Sequence, residues 1–185
     1  MTQTDNNKTL NVTGGTWTGW NIYGGSESTN IDGYILNLSG VTGVLGIEGG
    51  HFLGSAPASN SSVTGNTVNM TDSSAIGDVY GGYASNDGAM TPASENTVKM
   101  VNSSANNVYG GWTQNSVAES NIVTLAESNV AGSVYGGYTK RMAGNANSNV
   151  VTLSDSNVAG AFTADGQIII MATPVPTRLQ WLGVQ

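Results

Sequence analysis

Two neighbouring phrases decide how this chain folds: Asn96-Thr97-Val98-Lys99-Met100 and, shortly after it, Val108-Tyr109-Gly110-Gly111-Trp112. In the first, apolar and polar residues alternate, the pattern of a strand with one buried face. The second is a short apolar start, an aromatic ring, two glycines and another ring. Neither phrase is unique. The glycine phrase also occurs as Ile22-Tyr23-Gly24-Gly25, Ile47-Glu48-Gly49-Gly50, Val79-Tyr80-Gly81-Gly82 and Val134-Tyr135-Gly136-Gly137. Its first glycines stand at 24, 49, 81, 110 and 136, at intervals of 25, 32, 29 and 26 residues. The strand phrase returns as Asn66-Thr67-Val68-Asn69-Met70, Asn121-Ile122-Val123-Thr124-Leu125 and Asn149-Val150-Val151-Thr152-Leu153. Thr9-Leu10-Asn11-Val12 and Ile35-Leu36-Asn37-Leu38 are weaker copies. A period of a few tens of residues marks a stacked array, because one such unit cannot bury its apolar face alone.

Each unit reads as strand, small polar corner (Asp72-Ser73-Ser74, Glu127-Ser128-Asn129), second strand, glycine pair and a polar connector of variable length. The predicted fold is therefore all-β: a parallel β-solenoid, or β-helix, of about six coils beginning near Lys8, Gly33, Gly65, Glu95, Ser120 and Ser148. Successive coils should pair at about 4.8 Å per rung. The sixth unit is degenerate, since Asn157-Val158-Ala159-Gly160-Ala161-Phe162 reaches no glycine pair. Val68/Met70, Val98/Met100, Val123/Leu125, Val151/Leu153, Leu10/Val12 and Leu36/Leu38 are expected to point inward as two columns. The connectors, Ser55 to Thr64, Ala84 to Ser94, Thr113 to Glu119 and Thr139 to Asn147, should line one edge as loops. Residues 1–166 form the expected solenoid and residues 167–185 a C-terminal capping or intersubunit docking tail. The tail carries Ile168, Ile169 and Ile170, then Leu179, Trp181 and Leu182, with Pro174 and Pro176 between them to break any ladder.

Composition narrows the function classes. Charged residues are 9% of the chain, with five Lys plus Arg against twelve Asp plus Glu and a formal net charge of -7. No basic stripe exists to displace phosphate counterions, so nucleic acid is not an expected partner. No run approaches the ~20 apolar residues of a membrane helix, and membrane insertion is not expected. The absence of cysteine removes disulfides and thiolate metal sites without fixing a compartment. The polar start, Met1 to Leu10, lacks the apolar centre of a signal peptide.

Three constellations stand at equivalent positions. Asn66, Asn96, Asn121 and Asn149 read as a ladder of stacked amides with a structural role. Tyr80, Tyr109 and Tyr135, with Tyr23, precede the glycine pairs, and Tyr83, Trp112 and Tyr138, with His51, follow them. In-register coils would make two aromatic columns, one facing outward and offering a binding surface. Asp72, Asn102, Glu127 and Asp155 share a corner, which reads as solvated because one column supplies few of the six to eight oxygens of a calcium ion. Neither metal nor cofactor is expected. One histidine, scattered basic residues and no acid–base cluster give no catalytic site.

These paired phrases, joined by Ser/Asn/Gly-rich connectors, resemble the repeats of bacterial autotransporter passengers and related large surface adhesins. The likeness covers about Asn66 to Phe162 well and the first two units loosely. It implies a surface-displayed solenoid, extracellular or at the bacterial cell surface. With neither signal peptide nor C-terminal membrane barrel in the sequence, the expectation is an excised passenger segment or a relative secreted by another route. The expected function is non-enzymatic, structural and adhesive: a stalk or fibre subunit that associates end to end and meets a host or bacterial surface glycan or protein. Two alternatives stand beside it, a carbohydrate-binding tip using the aromatic columns and a polysaccharide-active β-helix enzyme.

Overall fold

The structure is a computed structural model that describes residues 2–3, 8–28, 30–52, 61–85, 90–141, 145–164 and 166–171. Its regular elements are all strands. Two sheets of seven parallel strands run the length of the rod. The first stacks Thr9–Thr13, Ile35–Ser39, Thr67–Thr71, Thr97–Val101, Ile122–Ala126, Asn149–Ser154 and Gly166–Met171. The second, which carries the aromatic residues, stacks Thr2–Gln3, Asn21–Glu27, Gly46–Phe52, Val79–Ala84, Val108–Thr113, Val134–Thr139 and Phe162–Thr163. In both, each strand's neighbours are its counterparts one coil before and one coil after, which defines a parallel β-solenoid. It completes about five turns, one fewer than the expected six. The last unit has only a two-residue second strand, Phe162–Thr163, with no glycine pair.

Strand alternation places the core as expected. Val98 and Met100 are fully buried, Lys99 between them is exposed, and they stand in register with Val68/Met70 and Val123/Leu125. Ile22, Ile47, Val79, Val108 and Val134 close the core from the aromatic sheet. A third, short wall, Ser104–Ala105, Asn129–Val130 and Asn157–Val158, supplies Ala105, Val130 and Val158. The core is therefore three-sided, with two apolar files from the first sheet and one from each of the other two walls.

The polar corners follow from backbone conformation. Asp72, Asn102, Glu127 and Asp155 have φ of 46–50°, and Glu95, Ser120 and Ser148 have φ of 55–58°. This left-handed region is tolerated best by glycine and by short polar side chains that bond locally. The first coils place Gly33, Gly40 and Gly65 at the same corners, with φ of 65–70°. Each corner residue after the first strand is followed by a serine that locks the turn. Ser73, Ser103 and Ser128 accept at Oγ from the main-chain N–H of Val41, Ser73 and Ser103, at 3.1–3.2 Å. Each also donates to the carbonyl two residues earlier at 2.8 Å.

The described ends of the connectors hold short strands in place of the expected loops. They form two-residue rungs: Ile31–Asp32, Val63–Thr64 and Ala93–Ser94 in one sheet, Ala118–Glu119 and Ala146–Asn147 in another. The first three rungs supply Ile31, Val63 and Ala93 to a second apolar cluster completed by Tyr34, Phe52 and Ala84.

Candidate functional site

Between the two clusters runs a buried spine of amides. Asn66, Asn96, Asn121 and Asn149 have no solvent exposure. The Nδ2 of Asn96 donates to Val63 O at 2.9 Å and to Asn121 Oδ1 at 3.2 Å, while its main-chain N–H reaches the same Oδ1 at 2.9 Å. Asn66 and Asn121 repeat this set with Asn96 and Asn149. Burial leaves these amides no water, and they are satisfied by the coils before and after them, with Asn149 Nδ2 donating to Ala118 O at 2.8 Å.

The spine explains the glycine pairs. A Cβ on Gly111 would lie 2.6 Å from Asn121 Nδ2 and 2.5 Å from Ala93 O, and one on Gly110 would lie 2.9 Å from Asn121 Cβ. Both glycines of a pair thus face inward, against the same amide. Two consecutive inward residues are a β-bulge, and the pairing skips one glycine of each pair, joining Tyr109 with Tyr135 and Gly111 with Gly137.

The bulge has an outward consequence. In a regular strand, the residues flanking a pair would point to opposite faces. Here Tyr109 and Trp112 both point outward, so the expectation of a single outward column is corrected: the two columns share one face. Tyr80, Tyr109 and Tyr135 stack at centroid separations of 4.8 and 5.1 Å with planes within 8°. Tyr83, Trp112 and Tyr138 stack beside them at 4.7 and 6.4 Å. Edge contacts knit the columns together, with Tyr135–Tyr138 at 5.1 Å and Tyr109–Tyr138 at 5.7 Å. The tyrosines are half-buried and Trp112 is 9% exposed. Burial, then the charge of Asp78, pushes the phenols of Tyr80 and Tyr109 well above their ordinary value. Asp78 also accepts from Tyr80 Oη at 3.1 Å.

The second coil departs from this pattern. Glu48 occupies the column position between Tyr23 and Tyr80, and His51 the position between Ser26 and Tyr83. The Glu48 carboxylate meets His51 Nδ1. Burial raises the Glu48 carboxyl above its usual value, and the His51 contact opposes this without cancelling it. In the same coil, Tyr34 replaces the spine asparagine: its N–H donates to Asn66 Oδ1 at 3.0 Å, and its ring occupies the space a Cβ on Gly25 would need. Its hydroxyl donates to Glu27, which with burial lifts that phenol to about 12.

Other candidates fall as follows. Asp72, Asn102 and Glu127 line a shallow groove with Ser73, Ser74 and Asn129, and Asn102 Nδ2 donates to Asp72 Oδ1 at 2.6 Å. Among the described residues, no three His, Asp or Glu side chains gather as metal ligands. Ile168, Ile169 and Ile170 lie in Gly166–Met171, paired with Asn149–Ser154 of the same chain as the last rung of the first sheet. Leu179, Trp181 and Leu182 lie outside the described residues. Among the described residues, no helix is long and apolar enough to cross a membrane.

Sequence reasoning missed the serine file and the Glu48–His51 pair. Ser73, Ser103, Ser128 and Ser156 recur one place after the corner residue, a signal hidden by the abundance of serine. The pair was signalled by the one glycine phrase lacking its leading tyrosine, Ile47-Glu48-Gly49-Gly50. No family model, curated protein or solved structure matches the chain.

Proposed function

We propose that this protein is a non-enzymatic structural and adhesive rod, a stalk or self-assembling fibre subunit displayed outside a bacterial cell. The observation that carries this reading is the aromatic double column. A sugar-binding platform needs ring faces open to a ligand. Here the faces of Tyr80, Tyr109 and Tyr135 are covered by one another, as are those of Tyr83, Trp112 and Tyr138. The rings therefore support the rod along its axis, as the buried amides and serines do. The repeat phrases, similar to those of surface adhesins, support the location. End-to-end contact between copies is in keeping with a stack of parallel coils, whose terminal strands pair with a further strand wherever they are left uncovered.

The acidic residues argue in the same direction. Glycoside cleavage needs two carboxyl groups on opposite sides of a cleft. Asp72, Glu127 and Asp155 instead follow one another along a single corner, and the groove beside it is shallow.

The test is single-molecule extension between the chain ends, comparing the protein with a Trp112→Ala/Tyr138→Ala variant. A structural column predicts a lower unfolding force for the variant and unchanged glycan-array binding. Array binding that disappears with these two rings would establish the carbohydrate-binding tip instead, and turnover of a polysaccharide would establish the enzyme. For assembly, light scattering should show oligomers that become monomers on truncation after Met171. A full-length chain that stays monomeric at high concentration would remove the fibre reading and leave a single stalk.

A further inference from the structure

A repeat array is most informative where one coil breaks its own rule. The rungs at Val79–Ala84, Val108–Thr113 and Val134–Thr139 fill the outer columns with phenol or indole rings. The rung at Gly46–Phe52 fills them with a carboxylate and the chain's single imidazole. Glu48 is 7% exposed, and its side chain lies in the column between Tyr23 and Tyr80. His51 is held from both sides, tilted on Tyr23 at 4.6 Å and stacked on Tyr83 at 5.6 Å. A carboxylate placed so deeply is expensive unless paired.

The surroundings offer that carboxylate little besides His51. The preceding strand carries Tyr23 and Glu27, and the latter is engaged by the Tyr34 hydroxyl. The following strand carries Tyr80 and Tyr83, with Asp78 bonded to Tyr80. Asp32, on the connector rung packed nearby, is paired with Lys8. Among the described residues, the flanking titratable groups are thus phenols and carboxylates, apart from Lys8, which is held by Asp32.

We propose that this rung is an acid-tightened clasp, which opens locally less often when Glu48 carries a proton than when it is charged. The sign follows from linkage. Burial dominates over the His51 contact and holds the carboxyl of the closed rung above its usual value, whereas an opened rung exposes it to water and returns it to that value. The closed state therefore binds the proton more tightly. Closure is weakest above the raised value, strengthens as pH falls towards the ordinary carboxylate range, and is level below it. A one-proton linkage limits the gain to about tenfold in the opening equilibrium per pH unit within that window.

Hydrogen exchange of the full chain, corrected for the intrinsic pH dependence of exchange, tests this. Amides of Gly46–Phe52 should gain protection on acidification, by up to about tenfold per pH unit. Those of Val134–Thr139, whose column positions hold Tyr135 and Tyr138, should stay level. Glu48→Gln should flatten the profile and show at neutral pH the protection that the native rung reaches only in acid. His51→Phe should move the upper edge of the window to higher pH, because the contact that opposes burial is gone. Protection that is level or falls with acid in the native chain would overturn the clasp. So would a slope that survives Glu48→Gln. If either variant fails to fold, carboxyl-carbon NMR titration of native Glu48 decides the matter, and a midpoint in the ordinary carboxylate range overturns the proposal.

Discussion

Coils three to five and coil two solve the same packing problem with different side chains. In the later coils an asparagine amide lies flat against the glycine pair and bonds to the coils on either side of it. In the second, the Tyr34 ring occupies that place and keeps only the main-chain bond to Asn66 Oδ1. The glycines are retained in both. The requirement for glycine therefore comes from a flat group pressed against the backbone, whether amide or ring, and not from the hydrogen bonds of the spine. On the outside the contrast reverses. The later coils present ring on ring, whereas coil two presents a carboxyl–imidazole contact between rings.

Four substitutions break or sharpen this contrast, measured as unfolding free energy or thermal midpoint. The largest effect belongs to Asn121→Ala, which strips the acceptor from two donors of Asn96 and the donor from Ala93 O. The Asn96 N–H and Ala93 O are left unpaired and Asn96 Nδ2 keeps only Val63 O, which should cost about 4 kcal/mol. A loss no greater than that of Asn69→Ala, on the outer face of the first sheet, would show that the spine is not the holding element. Next comes Gly111→Ala, whose Cβ would press on Ala93 O at 2.5 Å. A backbone carbonyl cannot swing aside as a side chain can, so about 3 kcal/mol is expected. A neutral result would refute the flat-group explanation of the glycine pair.

Tyr34→Asn makes coil two resemble its neighbours in sequence and should nonetheless destabilise it by about 2 kcal/mol. It removes a 6%-exposed ring from the cluster with Ile31, Phe52 and Val63 for one added amide contact. A gain in stability would mean that the amide spine alone governs these coils. The smallest change is Glu48→Tyr, which restores an aromatic file from Tyr23 to Tyr80. It should stabilise the protein by about 1 kcal/mol at neutral pH, through ring contact and relief of a buried charge. That gain should shrink on acidification, as protonation removes the same charge from the native chain.

How far these features could be read beforehand depended on the period each one obeys. Val98 and Met100 alternate with a surface lysine, and the two-residue period of a strand assigns them inward at once. The spine asparagines repeat at one position per unit and were legible as a ladder. The sharing of one face by both aromatic columns was not, because it requires Gly110 and Gly111 to point the same way, against strand alternation. A double glycine in a strand is a bulge signal, but its direction is set by Asn121, which lies in the next coil. Tyr34 was hidden for a related reason: its equivalence to Asn66 emerges only from register, since the residues around it match the strand phrase loosely. The connectors' short rungs rest on single residues such as Ala93 and Ala118, too few to display any period.

The main-chain donors of the spine and of the serine file all run one way. Asn66, Asn96 and Asn121 each donate their main-chain N–H to the Oδ1 of the following coil. Ser73, Ser103 and Ser128 donate in the same sense to the Oγ of the following coil. These aligned bonds give each file a local dipole with its positive end toward the C-terminal end of the rod, a bias that the alternating dipoles of the strands themselves do not share. The rod is consequently an arrow. Two copies meeting like end to like end would oppose these dipoles, whereas copies meeting head to tail would extend them, so a fibre of this protein would have a direction and two chemically different tips.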